Sequence, residues 1–481
     1  MLPLNNTLLA TERRHVSHYS RPFRRNNALT NSPAGAATAL SLAQQGHSVT
    51  LFEAYPHPLS ITKKNSPKAY VIALGKRGQE GLESATGITP EQVENGIIST
   101  NFVRQSVKRP VMVQRPVPSL LAPRKVLAAF ILDQASKAGV TIHYEYKLVE
   151  IDFDKRQVTL QQQQSSKEIK ESYDLLIGAD GANSQVRTLL NDGVDDFNVL
   201  RTLGDTMEYQ VAILPASPFA DQYPKDTVYS WNNKEYNAIC LSFPLATGEQ
   251  IFVPVFPQGK FDEFKAAGQA GFDAPLKALL SRVNDDTRQA LAEQLVTGQA
   301  ANGGNCVWTD SLGSVRAGVA LVGDSGHAMW PSLGQGANCA LESVAVFCQA
   351  CRDIVGSKKA SASAHATPKL VASAIVQEFN AKRHDDATAA VDLTFGGIGA
   401  RTSRGRQNAP LSYKLQVMGM MLLNKITAGI VPKPALLRLM GGDCTSYATL
   451  HKFNFRYEPA MCLSALVVLC VPFIVRWMKR P

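Results

Sequence analysis

The periodicity of apolar and polar positions changes several times along this chain. Residues 319–322 form a short, continuous apolar run between two glycines, which predicts a buried strand. A polar, glycine-rich stretch follows, and from residue 337 apolar residues recur at helical spacing as far as residue 354. Between residues 195 and 310, apolar and polar residues alternate, which predicts an antiparallel sheet domain. The pattern therefore predicts an α/β chain in which a sheet domain interrupts strand–loop–helix units.

The N-terminal part carries most of a second strand–helix unit. Residues 33–45 are rich in small apolar side chains, Gly46 ends the predicted helix, and the following strand ends in Glu53. This is the order of a dinucleotide-binding βαβ unit. In such a unit Gly35 would permit close helix–strand packing, and Glu53 would bind the hydroxyls of an adenosine ribose.

The beginning of that unit departs from the pattern. The first two glycine positions hold Thr30 and Ser32, and residues 20–28 are too polar to predict a buried parallel strand. Residues 1–30 are therefore expected to be a disordered, transit-like or mis-assigned N-terminus. The pyrophosphate of a nucleotide would lose its close backbone approach, unless the native N-terminus differs, which we favour.

The stretch around Asp324 has the composition of an anion and dipole receptor. Gly323-Asp324 turns the chain after the strand, Pro331 opens a second turn, and Gly334-Gln335-Gly336 leads into a helix that starts at Ala337-Asn338. Asp324 can accept hydroxyls of a sugar-like chain. A helix start can stabilise negative charge on a flat ring that lies against glycines.

Two further segments carry charge at the end of a predicted element. Asp180-Gly181 follows the stretch Tyr173-Asp-Leu-Leu-Ile-Gly178 and precedes a short helix. Arg124 stands at the start of a predicted helix, where a cation opposes the helix dipole, and this indicates an anionic partner. A solvated surface arginine is the alternative.

Composition narrows the range of partners. The chain has 481 residues and a formal net charge of +10, yet no Lys/Arg run with interleaved aromatics predicts a nucleic-acid surface. Eight scattered cysteines are typical of reduced, intracellular proteins. Cys348 and Cys351 are spaced for a metal but lie in a predicted helix without a second pair, so we predict buried helix residues and no metal site.

These motifs resemble those of class A FAD-dependent aromatic-ring monooxygenases, which have the para-hydroxybenzoate hydroxylase fold. The resemblance covers most of residues 33–345 and implies FAD as cofactor, with Asp324 on the ribitol and Gly334–Gly336 facing the isoalloxazine. It also implies cofactor contacts for the strand at Ala73, for Arg124 and for Asp180. In that family NADPH reduces the flavin, O2 forms a flavin C4a-hydroperoxide, and the substrate is hydroxylated.

Among subfamilies the chain is most similar to kynurenine 3-monooxygenase, through residues 382–393 and the C-terminal helices. The substrate residues of that subfamily do not carry over, because residues 97–122 contain no tyrosine and we could assign no role to Arg104, Arg109 or Arg115. The expected substrate is a small aromatic, kynurenine-like molecule or an apolar one. The alternatives are a same-fold flavin epoxidase or reductase acting on a lipid or isoprenoid, and a pseudoenzyme with impaired FAD binding.

The expected organisation is a FAD-binding Rossmann-like domain interleaved with a substrate sheet domain and followed by helices. The uncharged run at 461–475, followed by Arg476, predicts a membrane anchor, with a C-terminal core helix as the alternative. The expected protein is intracellular and anchored to an organelle membrane. The resemblance implies the mitochondrial outer membrane, and a plastid is the alternative. The expected boundaries are 31–193 and 311–356 for the FAD-binding domain, 194–310 for the substrate domain, 368–457 for the helical region and 459–478 for the anchor.

Overall fold

The computed structural model of the chain describes residues 26–30, 32–60, 70–105, 109–356, 367–395 and 411–463. Its strands lie in a six-stranded sheet, a nine-stranded sheet, a three-stranded sheet and a two-stranded ribbon. The strands are β1 Asn26–Thr30, β2 Val49–Glu53, β3 Val71–Leu74, β4 Ile97–Arg104, β5 Val111–Pro123, β6 Thr141–Tyr144, β7 Tyr146–Asp152, β8 Gln157–Gln162, β9 Glu168–Ser172, β10 Leu175–Ala179, β11 Val199–Gly204, β12 Met207–Tyr209, β13 Ala212–Leu214, β14 Val228–Asn233, β15 Ala238–Pro244, β16 Gln250–Pro257, β17 Ala301–Asn302, β18 Asn305–Thr309, β19 Gly313–Ser314 and β20 Val319–Leu321.

Helices cover the six-stranded sheet and form the C-terminal region. They are α1 Pro33–Gln44, α2 Lys76–Thr86, α3 Arg124–Lys137, α4 Gln185–Gly193, α5 Lys260–Ala266, α6 Asp273–Leu279, α7 Asp285–Thr297, α8 Asp324–His327, α9 Gly336–Gly356, α10 Pro368–Phe395, α11 Leu411–Ile426, α12 Ala435–Met440 and α13 Tyr447–Lys452. A π-helical turn, Phe453–Tyr457, follows α13 directly.

The six-stranded sheet corrects one prediction about the N-terminus. Its strand order is β19-β20-β10-β1-β2-β6, and β1 pairs in parallel with β10 on one side and β2 on the other. The prediction that residues 20–28 contain no parallel strand is therefore wrong for 26–28, and the predicted boundary at residue 30 falls after a central strand. Backbone hydrogen bonds to two neighbours can fix a strand whose side chains are poor strand formers. Residues 1–25 lie outside the described residues.

The nine-stranded sheet is larger than the predicted substrate domain. It contains β12 to β17 from residues 207–302, as expected, but it also takes β3, β4 and β5 from the N-terminal third of the chain. Its pairs are antiparallel except for β4 with β14, which run parallel. The sheet domain and the FAD-binding domain are thus interleaved more deeply than the predicted boundary at residue 194 implies.

The nine-stranded sheet has two apolar faces with different neighbours. One face, which includes Trp231 and Phe252, packs on the helices α5 to α7 and is fully buried. The other face, called the inner face here, has Val71, Leu121 and Val253 at its centre and half-buried Tyr70 and Ala73 packed against it. Partial exposure on one side leaves room there for a ligand.

Close helix packing holds the FAD-binding core together. Helix α2 lies on α9 with two glycines at the contact, and a Cβ atom at Gly81 would stand only 2.7 Å from the backbone carbon of Leu341. A Cβ atom at Gly78 would stand 2.5 Å from Oδ1 of Asn338. The start of α9 is therefore fixed against the β3–α2 junction.

Most of the predicted anchor lies outside the described residues, which end at Leu463. Across the ranges that are described, helices fall short of the length and apolarity needed to cross a membrane. The described part of the C-terminus ends close to α11, since the Cys462 thiol donates to the carbonyl oxygen of Gln416 at 3.4 Å.

Candidate FAD site

The carboxyl ends of the parallel strands bring the predicted motifs to one edge of the six-stranded sheet. In the register of this sheet Thr30 faces Glu53 on one side and Ala179 on the other. Asp180 follows directly, and β20 delivers Asp324 beside them. Ligands of open parallel sheets bind at this edge, where strand order reverses.

Ser32 caps helix α1 at the place where the pattern has a glycine. Its hydroxyl accepts a hydrogen bond from the Gly35 N–H at 3.4 Å and donates to the carbonyl oxygen of Ala179 at 3.1 Å. Gly35 is buried in the first turn of α1. The Ser32 side chain thus caps the N-terminus of α1, which is the place where a phosphate would otherwise bind.

Glu53 is buried at the end of β2. Its Oε1 accepts a hydrogen bond from the backbone N–H of Tyr55 at 2.9 Å. The side chain is only 4 % exposed. The contact fixes the carboxylate at the sheet edge, where the resemblance places a ribose.

Asp180 organises the turn between β10 and α4. Its carboxylate accepts hydrogen bonds from the hydroxyls of Ser184 and Ser325 and from the first N–H groups of α4. Gly181 has a φ of +86°, and its N–H donates to the Ser325 hydroxyl at 3.0 Å. Asp180 therefore joins the two motifs directly.

Asp324 stands at the start of α8 among cations. Burial raises the pKa of its carboxyl, while Arg124 and Arg187 act to lower it. The Arg187 guanidinium donates to the carbonyl oxygens of Asp324 and Ser325 at 3.4 and 2.9 Å. Arg124 lies at the start of α3, and its N–H donates to the carbonyl oxygen of Tyr70. A half-buried carboxylate near two guanidinium groups suits a polyhydroxyl chain that bears phosphate further along.

The predicted ring-facing loop leads into α9, and Ala340 of this helix packs on Gly323, the residue before Asp324. Pro331 is exposed at the start of a short 3-10 turn, and Gly334 has a φ of +63°. The Asn338 amide donates to the carbonyl oxygens of Ala73 and Gly334 and accepts from the Gly75 N–H at 2.9 Å. The Ala73 backbone thus supports Asn338 at the end of the loop, while its predicted contact with the cofactor stays a prediction.

The residues present fit a flat ring at this loop. A Cβ atom built at Gly334 or Gly336 meets no atom within 4 Å, so the space in front of the loop is open. Gly323 is different, since a Cβ atom there would stand 3.2 Å from that of Ala340. Gly323 serves packing, whereas Gly334 and Gly336 leave space that a ligand can fill.

Two tyrosines near the site, Tyr70 and Tyr209, were not predicted from the sequence. Tyr70 and Tyr209 lie 6.3 Å apart, edge to face, and Tyr70 interacts electrostatically with both Arg124 and Asp324. Burial raises the pKa of both hydroxyls. Neither tyrosine belongs to a motif, so only the pairing of distant strands reveals them.

Trp330, directly before Pro331, packs as a core aromatic. Its ring packs 5.5 Å from that of Phe395 and is 8 % exposed. Cys348 and Cys351 are buried in α9, as predicted, and burial raises the pKa of the Cys348 thiol to about 11. Among the described residues, no group of three or more His, Cys, Asp or Glu side chains could hold a metal ion.

Relatives that are named for an enzymatic activity are about a quarter identical to the chain over the aligned residues. Kynurenine 3-monooxygenase of Stenotrophomonas maltophilia is 25% identical over 343 residues, covering 68% of this chain and 71% of that protein. Violacein synthase of Chromobacterium violaceum is 25% identical over 327 residues, covering 65% and 74% respectively.

Solved structures establish the fold. PqsL of Pseudomonas aeruginosa in complex with 2-aminobenzoylacetate has a TM-score of 0.60 at 20% identity, covering 80% of this chain and 97% of that one. For 2-methyl-3-hydroxypyridine-5-carboxylic acid oxygenase the TM-score is 0.59 at 18% identity, with 87% and 96% covered. The first structure holds an aromatic ligand and the second is an oxygenase. Their TM-scores confirm the predicted fold class.

A family model described as "FAD binding domain" matches residues 31–351, about two thirds of the chain. That span contains every predicted site residue, from Gly35 to Asn338. The chain therefore belongs to the FAD-binding domain family and has the fold of the FAD-dependent monooxygenases that its motifs resemble.

Proposed function

We propose that the chain is an FAD-dependent monooxygenase that hydroxylates a small aromatic molecule, with NADPH as reductant and O2 as co-substrate. The observation that carries this proposal is the open space at Gly334 and Gly336. The loop that holds these glycines is tied through Asn338 to Ala73, which packs on the inner face of the nine-stranded sheet. The family match and the monooxygenase relatives support it. The bound flavin would supply the redox chemistry.

The residues of this chain would bind the cofactor, orient it and exclude water from it. Asp324 would hold the ribitol hydroxyls, and the start of α9 would direct its unsatisfied N–H groups at the ring edge. Asn338 fixes the loop by three hydrogen bonds, so these donors are preorganised. The apolar inner face would exclude water from the opposite side.

The cofactor roles are tested by two substitutions in the full chain. Asp324→Ala should abolish FAD retention with the protein still folded, because the ribitol loses its acceptor. Gly336→Val should stop NADPH oxidation, because its side chain enters space that is open in this structure. Exposed Asp353→Ala is the control. Wild-type NADPH turnover in both variants would refute the assignments, and a wild-type chain that binds no FAD would favour a pseudoenzyme.

The substrate that we propose carries an anionic group on its aromatic frame. Of the three arginines that the sequence left unassigned, Arg104 and Arg109 are exposed, whereas Arg115 is half-buried. Its guanidinium lies 5.4 Å from the centre of the Phe102 ring, which packs on the inner face. It donates to the Ser119 hydroxyl at 2.7 Å, and burial lowers its pKa. The ligand of PqsL, 2-aminobenzoylacetate, and the compound after which the second oxygenase is named, 2-methyl-3-hydroxypyridine-5-carboxylic acid, are likewise aromatic acids.

A panel of aromatic carboxylates and their uncharged amides tests this substrate class. With Arg115→Met, the KM for a productive carboxylate should rise about 10-fold or more, as expected for a lost charged hydrogen bond. The amides should be unaffected, and exposed Arg104→Met serves as the control. Kynurenine itself should be a poor substrate, because the subfamily's tyrosine is missing. Equal KM values in wild type and Arg115→Met would remove Arg115 from the substrate site.

A further inference from the structure

A buried ionic network lies behind the Gly334–Gly336 loop. Glu342 of α9 pairs with Arg77 of α2 at 2.5 Å and with Arg383 of α10 at 2.7 Å. Arg383 also pairs with Asp386 at 2.9 Å. Both guanidinium groups are almost fully buried, at 5 % and 2 % exposure. Two cations and two anions balance, so the network can be buried at low cost only while all its members remain in place.

Tyr447 of α13 lies directly on this network. Its ring is fully buried, and the Arg77 guanidinium stands 4.1 Å from the ring centre. The next backbone N–H, that of Ala448, donates to Asp386 at 2.8 Å. Helix α13 is therefore fixed against α2 through the Tyr447 ring and against α10 through the Ala448 N–H.

The Tyr447 hydroxyl reaches from this network to the ring-facing loop. It donates to Oε1 of Gln335 at 3.0 Å. The Gln335 amide donates in turn to the carbonyl oxygen of Leu333, although at 3.3 Å. Asn338 fixes the loop from the β3 side, and Tyr447 fixes it from the C-terminal side.

We propose that Tyr447 is a positioning residue that sets the orientation of the Gly334–Gly336 loop toward the flavin ring. This inference rests on the proposed function, because it assigns the loop to the ring. Tyr447 lies beyond the matched span 31–351, so the C-terminal helices contribute to a site whose other residues belong to the family domain. Without the hydroxyl, Gln335 loses a donor and the loop loses one of its two supports.

The test compares Tyr447→Phe with Tyr173→Phe in the FAD-loaded full chain. Tyr173 is a matched control, because its ring is buried and its hydroxyl has no hydrogen-bond partner among the described residues. We expect Tyr447→Phe to lower the FAD midpoint potential, because the N–H groups at the start of α9 would stabilise the negative charge of the reduced ring less strongly. NADPH should reduce the flavin roughly 5- to 10-fold more slowly, as for one hydrogen bond. Tyr173→Phe should change neither quantity.

Gln335→Met provides the second arm and removes the same contact from the loop side. It should shift the potential in the same direction, and the double variant should show no further shift, because both changes break one interaction. Should Tyr447→Phe retain the wild-type potential and reduction rate, or should the two changes add, the inference is overturned. A wild-type chain whose FAD is not reduced would instead contradict the proposed function.

Discussion

At the scale of single residues, the buried imidazole of His327 links the segment after Asp324 to the ionic network of Glu342 and Arg383. Its Nε2 lies 2.8 Å from the Ser343 hydroxyl, which also accepts from Nε of Arg383. Burial, with a smaller effect of Arg383, lowers the pKa of His327 from its ordinary 6.5 to about 3. The folded chain therefore holds this histidine neutral.

Acid should weaken the fold through His327. The unfolded chain binds a proton on this imidazole below about pH 6.5, whereas the folded chain does so only near pH 3. The free energy of unfolding therefore falls as the pH drops through this window, by about 2 kcal/mol between pH 8 and pH 5. In denaturant titrations, the free energy of unfolding should fall by about 2 kcal/mol less between pH 8 and pH 5 for His327→Asn than for the wild type. The variant His57→Asn, at a half-exposed histidine, is the control. Parallel pH profiles would contradict this.

At the scale of elements, α2 and α9 depend on the absence of side chains at their contact. Gly81→Ala should destabilise the chain by about 1–3 kcal/mol, because its Cβ atom would collide with the backbone at Leu341. This loss should appear although alanine favours helices by about 1 kcal/mol over glycine. Gly356→Ala, in the last turn of α9 with open space around it, is the control. Equal stability of the two variants in denaturant titration would exclude the close packing.

Elements with a local signature were predictable, and elements that depend on distant partners were not. The strand before Asp324, the loop at Gly334 and the helix after it follow from apolar spacing and glycine positions. Strand β1 does not, because its place is set by backbone pairing with β2 and β10, which are distant in the sequence. The same holds for the hydrogen bond from Tyr447 to Gln335, which joins residues 112 positions apart.

At the scale of the whole molecule, the C-terminal helices close over a buried acid. Glu458 is fully buried, and it accepts from the N–H of Ala435 at 2.6 Å and from the Gln416 amide at 2.9 Å. Burial raises the pKa of this carboxyl. The described fold thus needs the chain as far as Glu458, whereas Leu463 is exposed.

Two truncations separate this packing from the predicted membrane anchor. A chain that ends at Leu463 should keep its melting temperature and its FAD and should leave the membrane fraction, because it lacks the apolar segment 464–475. A chain that ends at Tyr457 should melt lower, because the start of α12 loses its acceptor, at a cost of about 1–3 kcal/mol. Full-length protein that stays in the supernatant after cell lysis would count against the anchor.

The central position of β1 has a consequence for synthesis on the ribosome. The core of the FAD-binding domain draws on residues from Ala34 to Ala387, and β20 begins 270 residues after β2 (319 − 49). At about 5–20 residues per second, roughly 15–50 s pass between the synthesis of β2 and that of β20, which pairs with β10 in the same sheet. During this time apolar strand edges lack their final partners and can pair with other chains. The interleaving that unites the two flavin motifs therefore makes the nascent chain dependent on protection until its last third has emerged.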